Sequence, residues 1–183
     1  MMGPNSIHFI LGGARSGKSR FAENAAARSG KNVIYIATAE GLDDEMIDRI
    51  AHHKNHRPAS WAVIESPLQL ADTIEQNATE HTCIIVDCLT LYLTNWLCKD
   101  NDAAWQNEKQ RLLSVLENAA HNKFQIVLVS NEVGQGIVPL GELSRTFVDQ
   151  AGWLHQDIAS LAGTVDFIVA GLNMRLKPQK GEQ

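Results

Sequence analysis

The stretch IHFILGGARSGKSRFAE, residues 7–23, decides how the rest of the chain is read. It opens on a largely apolar run of strand character, Ile7 to Leu11, and closes on a segment with helical spacing. Between them stands a turn built from Gly12, Gly13, Ala14, Arg15, Ser16, Gly17, Lys18 and Ser19, which fits G-x-x-x-x-G-K-[ST] in full. A loop that wraps phosphates with backbone N–H groups needs little bulk and free backbone angles, hence the glycines. A helix beginning near Lys18 points its unpaired N–H groups at the anion. Lys18 would reach the β- and γ-phosphates, and the Ser19 hydroxyl would ligate Mg²⁺. The turn is therefore read as holding a nucleoside triphosphate, ATP or GTP.

Working outward, apolar runs recur at 33–37 (VIYIA), 61–65 (WAVIE), 83–87 (CIIVD), 125–130 (QIVLVS) and 165–171 (VDFIVAG). Runs of four to six such residues suit strands covered on both faces, the habit of a parallel sheet between helical layers. The intervening segments carry helical stripes. Phe21, Ala22, Ala25 and Ala26 form a narrow one, and Leu89, Tyr92, Leu93, Trp96 and Leu97 another. Trp105, Leu112, Leu116 and Ala119 line a third, while Leu143, Phe147, Ala151, Leu154, Ile158 and Leu161 mark a long amphipathic helix. Strand–helix alternation from end to end predicts an α/β fold, a single doubly wound and mostly parallel sheet, with residues 1–183 as one domain. Ligands in such sheets gather outside the carboxyl ends of the strands, where the opening turn lies. Asp87, closing an apolar strand, is the expected second member of a Mg²⁺ shell.

Composition narrows the function classes. The chain has 183 residues, 44% apolar and 20% charged, with a formal charge of −5. That balance argues against nucleic acid as a partner. No apolar stretch approaches the ~20 residues of a membrane span, and the N-terminus does not read as a secretory signal. Cys83, Cys88 and Cys98 are odd in number, lack C-x-x-C spacing and read as small buried hydrophobes in a reducing compartment. The cytoplasm is the expected location.

The segment DDEMIDRIAHHKNHRP, residues 43–58, is unusual for its three histidines. Asp43 can cap a helix that Pro58 stops. Met46, Ile50, His53 and Arg57 then share one face, which the two apolar residues mark as the inner one. Arg49, His52 and His56 share another. Three readings stand side by side: a solvated charged helix, a metal site from His52 and His56, or His53 acting on phosphate. A neutral imidazole is a good nucleophile at phosphorus, and Arg57 and Lys54 would bind the nucleotide's charge while disfavouring the protonated ring.

Taken together, GGARSGKSR, IATA, DDEM-x-x-RI-x-x-H-x-x-x-R, Glu65 at the end of WAVIE, and NEVGQGIVP at 131–139 occur in the order seen in a known family. The chain resembles the bifunctional adenosylcobinamide kinase / adenosylcobinamide-phosphate guanylyltransferase enzymes of cobalamin synthesis, from about residue 7 to 177. The resemblance implies a phosphoryl transfer from ATP or GTP to a corrinoid, adenosylcobinamide, followed by GMP transfer from GTP through a GMP-histidine. That histidine falls on His53. The resemblance also implies nucleotide contacts from Ala37, Thr38 and Ala39, with Lys54, Asn55, His56 and Arg57 flanking the nucleotide and Glu65 and Asp87 completing the site. It further implies a P-loop NTPase of RecA-like sheet and a homo-oligomer, a trimer. One departure is His155, which stands where relatives often carry asparagine. Two rivals are a P-loop kinase without the transferase step and a non-catalytic nucleotide-binding regulatory module. The loop at 131–139 is read either as a holder of the corrinoid arm or as a structural turn.

Overall fold

Each of the six apolar runs becomes a strand in the computed structural model, which describes residues 7–40, 58–122 and 124–178. In chain order the elements are β1 (Ile7–Gly12), α1 (Lys18–Ala27), β2 (Asn32–Ala37), β3 (Ala62–Glu65), α2 (Leu70–Asn77) and β4 (Thr82–Asp87). They continue as α3 (Leu89–Leu97), α4 (Asp102–Asn122), β5 (Gln125–Asn131), α5 (Glu142–Leu161), β6 (Thr164–Val169) and β7 (Leu172–Lys177). The histidine segment, His53 included, lies outside the described residues.

The strands form one seven-stranded sheet in the order β3-β2-β4-β5-β1-β6-β7, parallel except for β7. Side chains alternate across it. Ile10, Tyr35, Ile85, Val127 and Val129 pack with Ala22 and Ala26 of α1 on one face. Phe9, Ile36, Ile84, Val86, Ile126 and Leu128 face the opposite layer, built from α2, α3, α4 and α5. Both faces being covered explains why the central strands read as unbroken apolar runs rather than alternating ones. Among the described residues, no helix is long and apolar enough to cross a membrane.

Polar groups buried in the helical layer are paired. Glu108, 8% exposed, accepts the Ala71 N–H of α2 and the Tyr92 hydroxyl of α3. Trp105 donates its indole N–H to Gln150, joining α4 to α5.

Some expectations are corrected. The WAVIE run forms the sheet's edge strand β3, and its Val63 is 43% exposed rather than covered on both faces. Cys83 and Cys88 are buried as expected, but Cys98 caps the end of α3 and is exposed. The long stripe on α5 starts being covered only at Phe147, because Leu143 stands in the exposed first turn. Helix α2 and strand β7 were not anticipated. Leu70, Ala71 and Ile74 carry a legible helical stripe, and Leu172, Met174 and Leu176 alternate with polar residues on β7.

The β6–β7 hairpin turns on Ala170 and Gly171, at φ 52° and 79°, the left-handed pair that a two-residue hairpin prefers. Below that turn, Asp166 of β6 is wholly buried. It accepts the His8 Nε2–H at 2.7 Å and the Arg175 Nε–H at 2.7 Å, tying β1, β6 and β7 together. Burial by itself pushes the Asp166 carboxyl up, but the bonds from His8 and Arg175 together hold it below the ordinary carboxylate range. A depressed folded-state value stabilises the protein above the unfolded value of about 4, and that contribution is lost as pH falls through the folded one. Asp166→Ala is expected to cost about 3 kcal/mol at pH 7 in urea denaturation, since it strands two donors against a buried space. The gap from the wild type should narrow below about pH 4.

Candidate nucleotide site

The sheet presents the carboxyl ends of six parallel strands along one edge, and the glycine turn leaves the end of β1 in their midst. Gly12 is hemmed in. A Cβ built on it would lie 2.4 Å from the Ile168 carbonyl oxygen and 2.7 Å from Ser16 Oγ. Gly17 holds φ at 100°, a value side chains rarely adopt. A Cβ built on Gly13 would meet nothing within 4 Å among the described residues, so the steric demand falls on the two outer glycines of the turn and not on all three. Neighbouring elements grip the loop: Gly12 O accepts the Glu132 N–H at 3.0 Å, and Ser16 O accepts the Gly171 N–H at 2.9 Å.

Inside this grip Lys18 is only 7% exposed and donates Nζ to the Gly13 carbonyl at 2.6 Å. Burial lowers its pKa, against the pull of the Cys88 and Asp87 sites. The Cys88 thiol, pushed up to about 11 chiefly by burial, is neutral near pH 7, so Asp87 supplies the negative charge that Lys18 feels. Ser19 opens the first turn of α1 and is half-buried, while Ala14 and Arg15 are exposed on the outside of the loop. Among the described residues, Ser16 Oγ is buried without a hydrogen-bond partner.

Asp87 ends β4 two strands away from β1, with β5 between them. Its Oδ2 accepts the Tyr35 hydroxyl at 2.7 Å, fixing the carboxylate. Ala37 pairs with Asp87 on one side and Glu65 on the other, so the three share one row across β4, β2 and β3. Glu65 is thereby at the far edge of the sheet. Thr38 is fully buried. Its hydroxyl donates to Cys88 O at 2.7 Å and accepts the Cys88 N–H at 2.9 Å, and Asn95 donates to its carbonyl at 2.8 Å. The side chain of Thr38 is a bolt between β2 and β4, with Ala37 and Ala39 half-buried on either side. Of the expected site residues, His53, Lys54, Asn55, His56 and Arg57 lie outside the described residues.

Sequence reading did not single out Tyr35, Asn95 or the Gly171 turn, because a strand tyrosine or a helix asparagine carries no local mark of what it touches. Ser130 and His155 were equally silent as a pair. Ser130 Oγ and His155 Nε2 are 2.7 Å apart, joining β5 to α5 beneath the 131–139 loop.

A glycine turn clamped at the carboxyl edge of a parallel sheet, a buried lysine within it and a strand-end aspartate define a P-loop nucleotide-binding protein. The RadB recombinase shares this fold, with a TM-score of 0.54 at 16% identity over 90% of this chain and 74% of its own. The chain belongs to the family described as cobinamide kinase / cobinamide phosphate guanyltransferase, which it matches over residues 8–176. It is 55% identical to the bifunctional adenosylcobalamin biosynthesis protein CobP of Pseudomonas aeruginosa, over 92% of this chain and 95% of the relative. It is 38% identical to CobU of Escherichia coli, which bears the same description, over 92% and 98%. The chain is thus an enzyme of cobalamin biosynthesis with two activities, an adenosylcobinamide kinase and an adenosylcobinamide-phosphate guanylyltransferase.

Gly12→Ala tests the geometry of the turn. Relief of a 2.4 Å contact with backbone requires the loop to move. Strain of about 1–3 kcal/mol predicts GTP binding weakened roughly 10- to 100-fold in equilibrium dialysis, with the circular dichroism spectrum unchanged.

Proposed function

We propose that residues 12–19 hold the triphosphate for both reactions and that His53 carries GMP between them. The observation that bears most weight is the preorganised loop: an inward, desolvated Lys18 facing Asp87, with the Ser16 hydroxyl unsatisfied until an anion arrives. Phosphoryl transfer asks for positioning and charge neutralisation above all. Here backbone N–H groups, Lys18 and the α1 N-terminus supply them.

In the second reaction, His53 attacks the α-phosphorus of GTP. An N–P bond forms, the bond from the α-phosphorus to the bridging oxygen breaks, and pyrophosphate leaves. The phosphate oxygen of phosphorylated adenosylcobinamide then attacks the same phosphorus, the N–P bond breaks, and adenosylcobinamide-GDP is released with the imidazole restored. Dividing the transfer makes two easier displacements of one hard one. Lys54, Asn55, His56 and Arg57 then flank the nucleotide, as the family resemblance implies, and Ala37, Thr38, Ala39 and Glu65 border it from β2 and β3.

Ser19 and Asp87 would hold Mg²⁺ that arrives with the nucleotide. The donor set fits: a hydroxyl and one fixed carboxylate, with phosphates and water to fill the rest, which is how Mg²⁺ usually binds beside phosphates. When bound, the ion neutralises developing phosphate charge. Ile137, Val138 and Leu140 project from the 131–139 loop and its continuation, at 99%, 71% and 98% exposure, and suit the apolar body of a corrinoid. A groove of about 350 Å³ between α3 and α5, lined by Leu97, Pro139, Leu143 and Phe147, adjoins that loop. The protein acts as one domain spanning 1–183, in the cytoplasm, and as a homotrimer, the last resting on family resemblance.

The test is incubation with Mg²⁺ and GTP labelled at the α-phosphate, followed by denaturation. The expected result is a covalent GMP adduct, acid-labile and base-stable, present in His52→Ala and absent in His53→Ala. An adduct that survives in His53→Ala moves the role to another residue. Absence of any adduct in the wild type removes the covalent route.

A further inference from the structure

Kinases of this kind commonly use a side chain to accept the proton of the attacking hydroxyl, and distance across the sheet sorts the candidates. Strands lie about 4.8 Å apart, so β3 with Glu65 is some 19 Å from β1, and β4 with Asp87 about 10 Å. Asp87 is also engaged by the Tyr35 hydroxyl and faces Lys18. β5 is the strand next to β1, and the residue just beyond its end is Glu132. The backbone N–H of Glu132 bonds the Gly12 carbonyl, which places this residue against the first glycine of the phosphate loop.

The Glu132 side chain is held but reachable. Its Oε1 accepts the Gly134 N–H at 2.6 Å, and Oε2 stands 3.9 Å from His155 Nδ1, with the side chain 22% exposed. His155 is itself fixed by Ser130 through its other ring nitrogen. Burial lowers the His155 pKa and Glu132 pulls it back up, so the ring is chiefly neutral near pH 7. A neutral ring that accepts the Ser130 hydroxyl proton on Nε2 turns an Nδ1–H toward Glu132. The carboxylate thus has one oxygen anchored in the loop by Gly134 and the other 3.9 Å from the His155 ring, beside the end of β5.

We infer that Glu132 is the general base of the phosphoryl-transfer step, an assignment that rests on residues 12–19 holding the triphosphate. The acceptor hydroxyl passes its proton to the Glu132 carboxylate as its oxygen bonds to the γ-phosphorus. The bond from that phosphorus to the β–γ bridging oxygen breaks, and the nucleoside diphosphate leaves with the electron pair. Guanylyl transfer needs no such base, because its acceptor is already an ionised phosphate.

The experiment compares wild type, Glu132→Gln and Glu132→Asp in each half-reaction separately. Phosphorylation of adenosylcobinamide is followed with γ-labelled nucleotide, and guanylyl transfer with GTP and adenosylcobinamide phosphate supplied ready-made. A glutamine oxygen still accepts the Gly134 N–H, so Glu132→Gln removes the proton acceptor while keeping the loop. Its kinase kcat should fall at least about 100-fold. Nucleotide affinity and guanylyl transfer should stay within about threefold, and Glu132→Asp should recover part of the loss. Kinase activity within threefold of wild type in Glu132→Gln overturns the assignment. So does an equal loss of both half-reactions, which marks Glu132 as a support of the loop. A wild type that binds nucleotide but phosphorylates no corrinoid fails at the kinase reading itself and takes the base with it.

Discussion

Gly12 is pressed between two strands, and most of the site follows from that confinement. Its carbonyl takes the N–H of Glu132, just beyond the end of β5, while the space for a Cβ is occupied by the Ile168 carbonyl of β6. The loop that follows is held a second time where Gly171 bonds Ser16. Phosphate-binding loops depend on N–H groups already pointing inward, because ordering them on binding would cost conformational entropy. The flanking strands have met that cost during folding. The buried Asp166, linking His8 on β1 to Arg175 on β7, extends the same restraint to the far side of the hairpin.

Charge is arranged around this frame by strand position. Lys18 is desolvated within the loop, Asp87 faces it from β4, and the neutral Cys88 thiol adds no competing charge near pH 7. Such an arrangement strengthens a cation's hold on phosphate, since a poorly hydrated lysine has less water to surrender. Tyr35, Thr38 and Asn95 keep the ends of β2 and β4 in register behind it. None of these three needs to touch substrate for the site to depend on them.

The fold is shared with a recombinase at 16% identity, so the sheet by itself does not select a reaction. The motifs that resemble the family's stand in sequence between the strands: the glycine turn at 12–19, the histidine segment at 43–57 and the loop at 131–140. A rigid sheet that fixes loop bases while leaving their tips variable is the usual means by which one architecture serves many chemistries.

Local patterns settled much of this protein in advance. The phosphate-loop motif is contiguous, so its eight residues announce themselves, and strands covered on both faces leave apolar runs, although the exposed edge run WAVIE imitates them. The helical stripes of α1, α3 and α4 were legible for the same reason: burial repeats with the period of the helix. The edge position of β3, the exposure of Cys98 and Leu143, and the pairings of Thr38 with Cys88 or Ser130 with His155 were decided only by the tertiary structure. Hydrogen bonds between residues 25 or 50 positions apart leave no periodic trace, because they depend on which strands become neighbours rather than on the residues beside them. The sequence alone marked the glycine-rich motif at 12–19. The order of strands in the sheet decided which carboxylate stands beside it, because only that order sets distances across the edge.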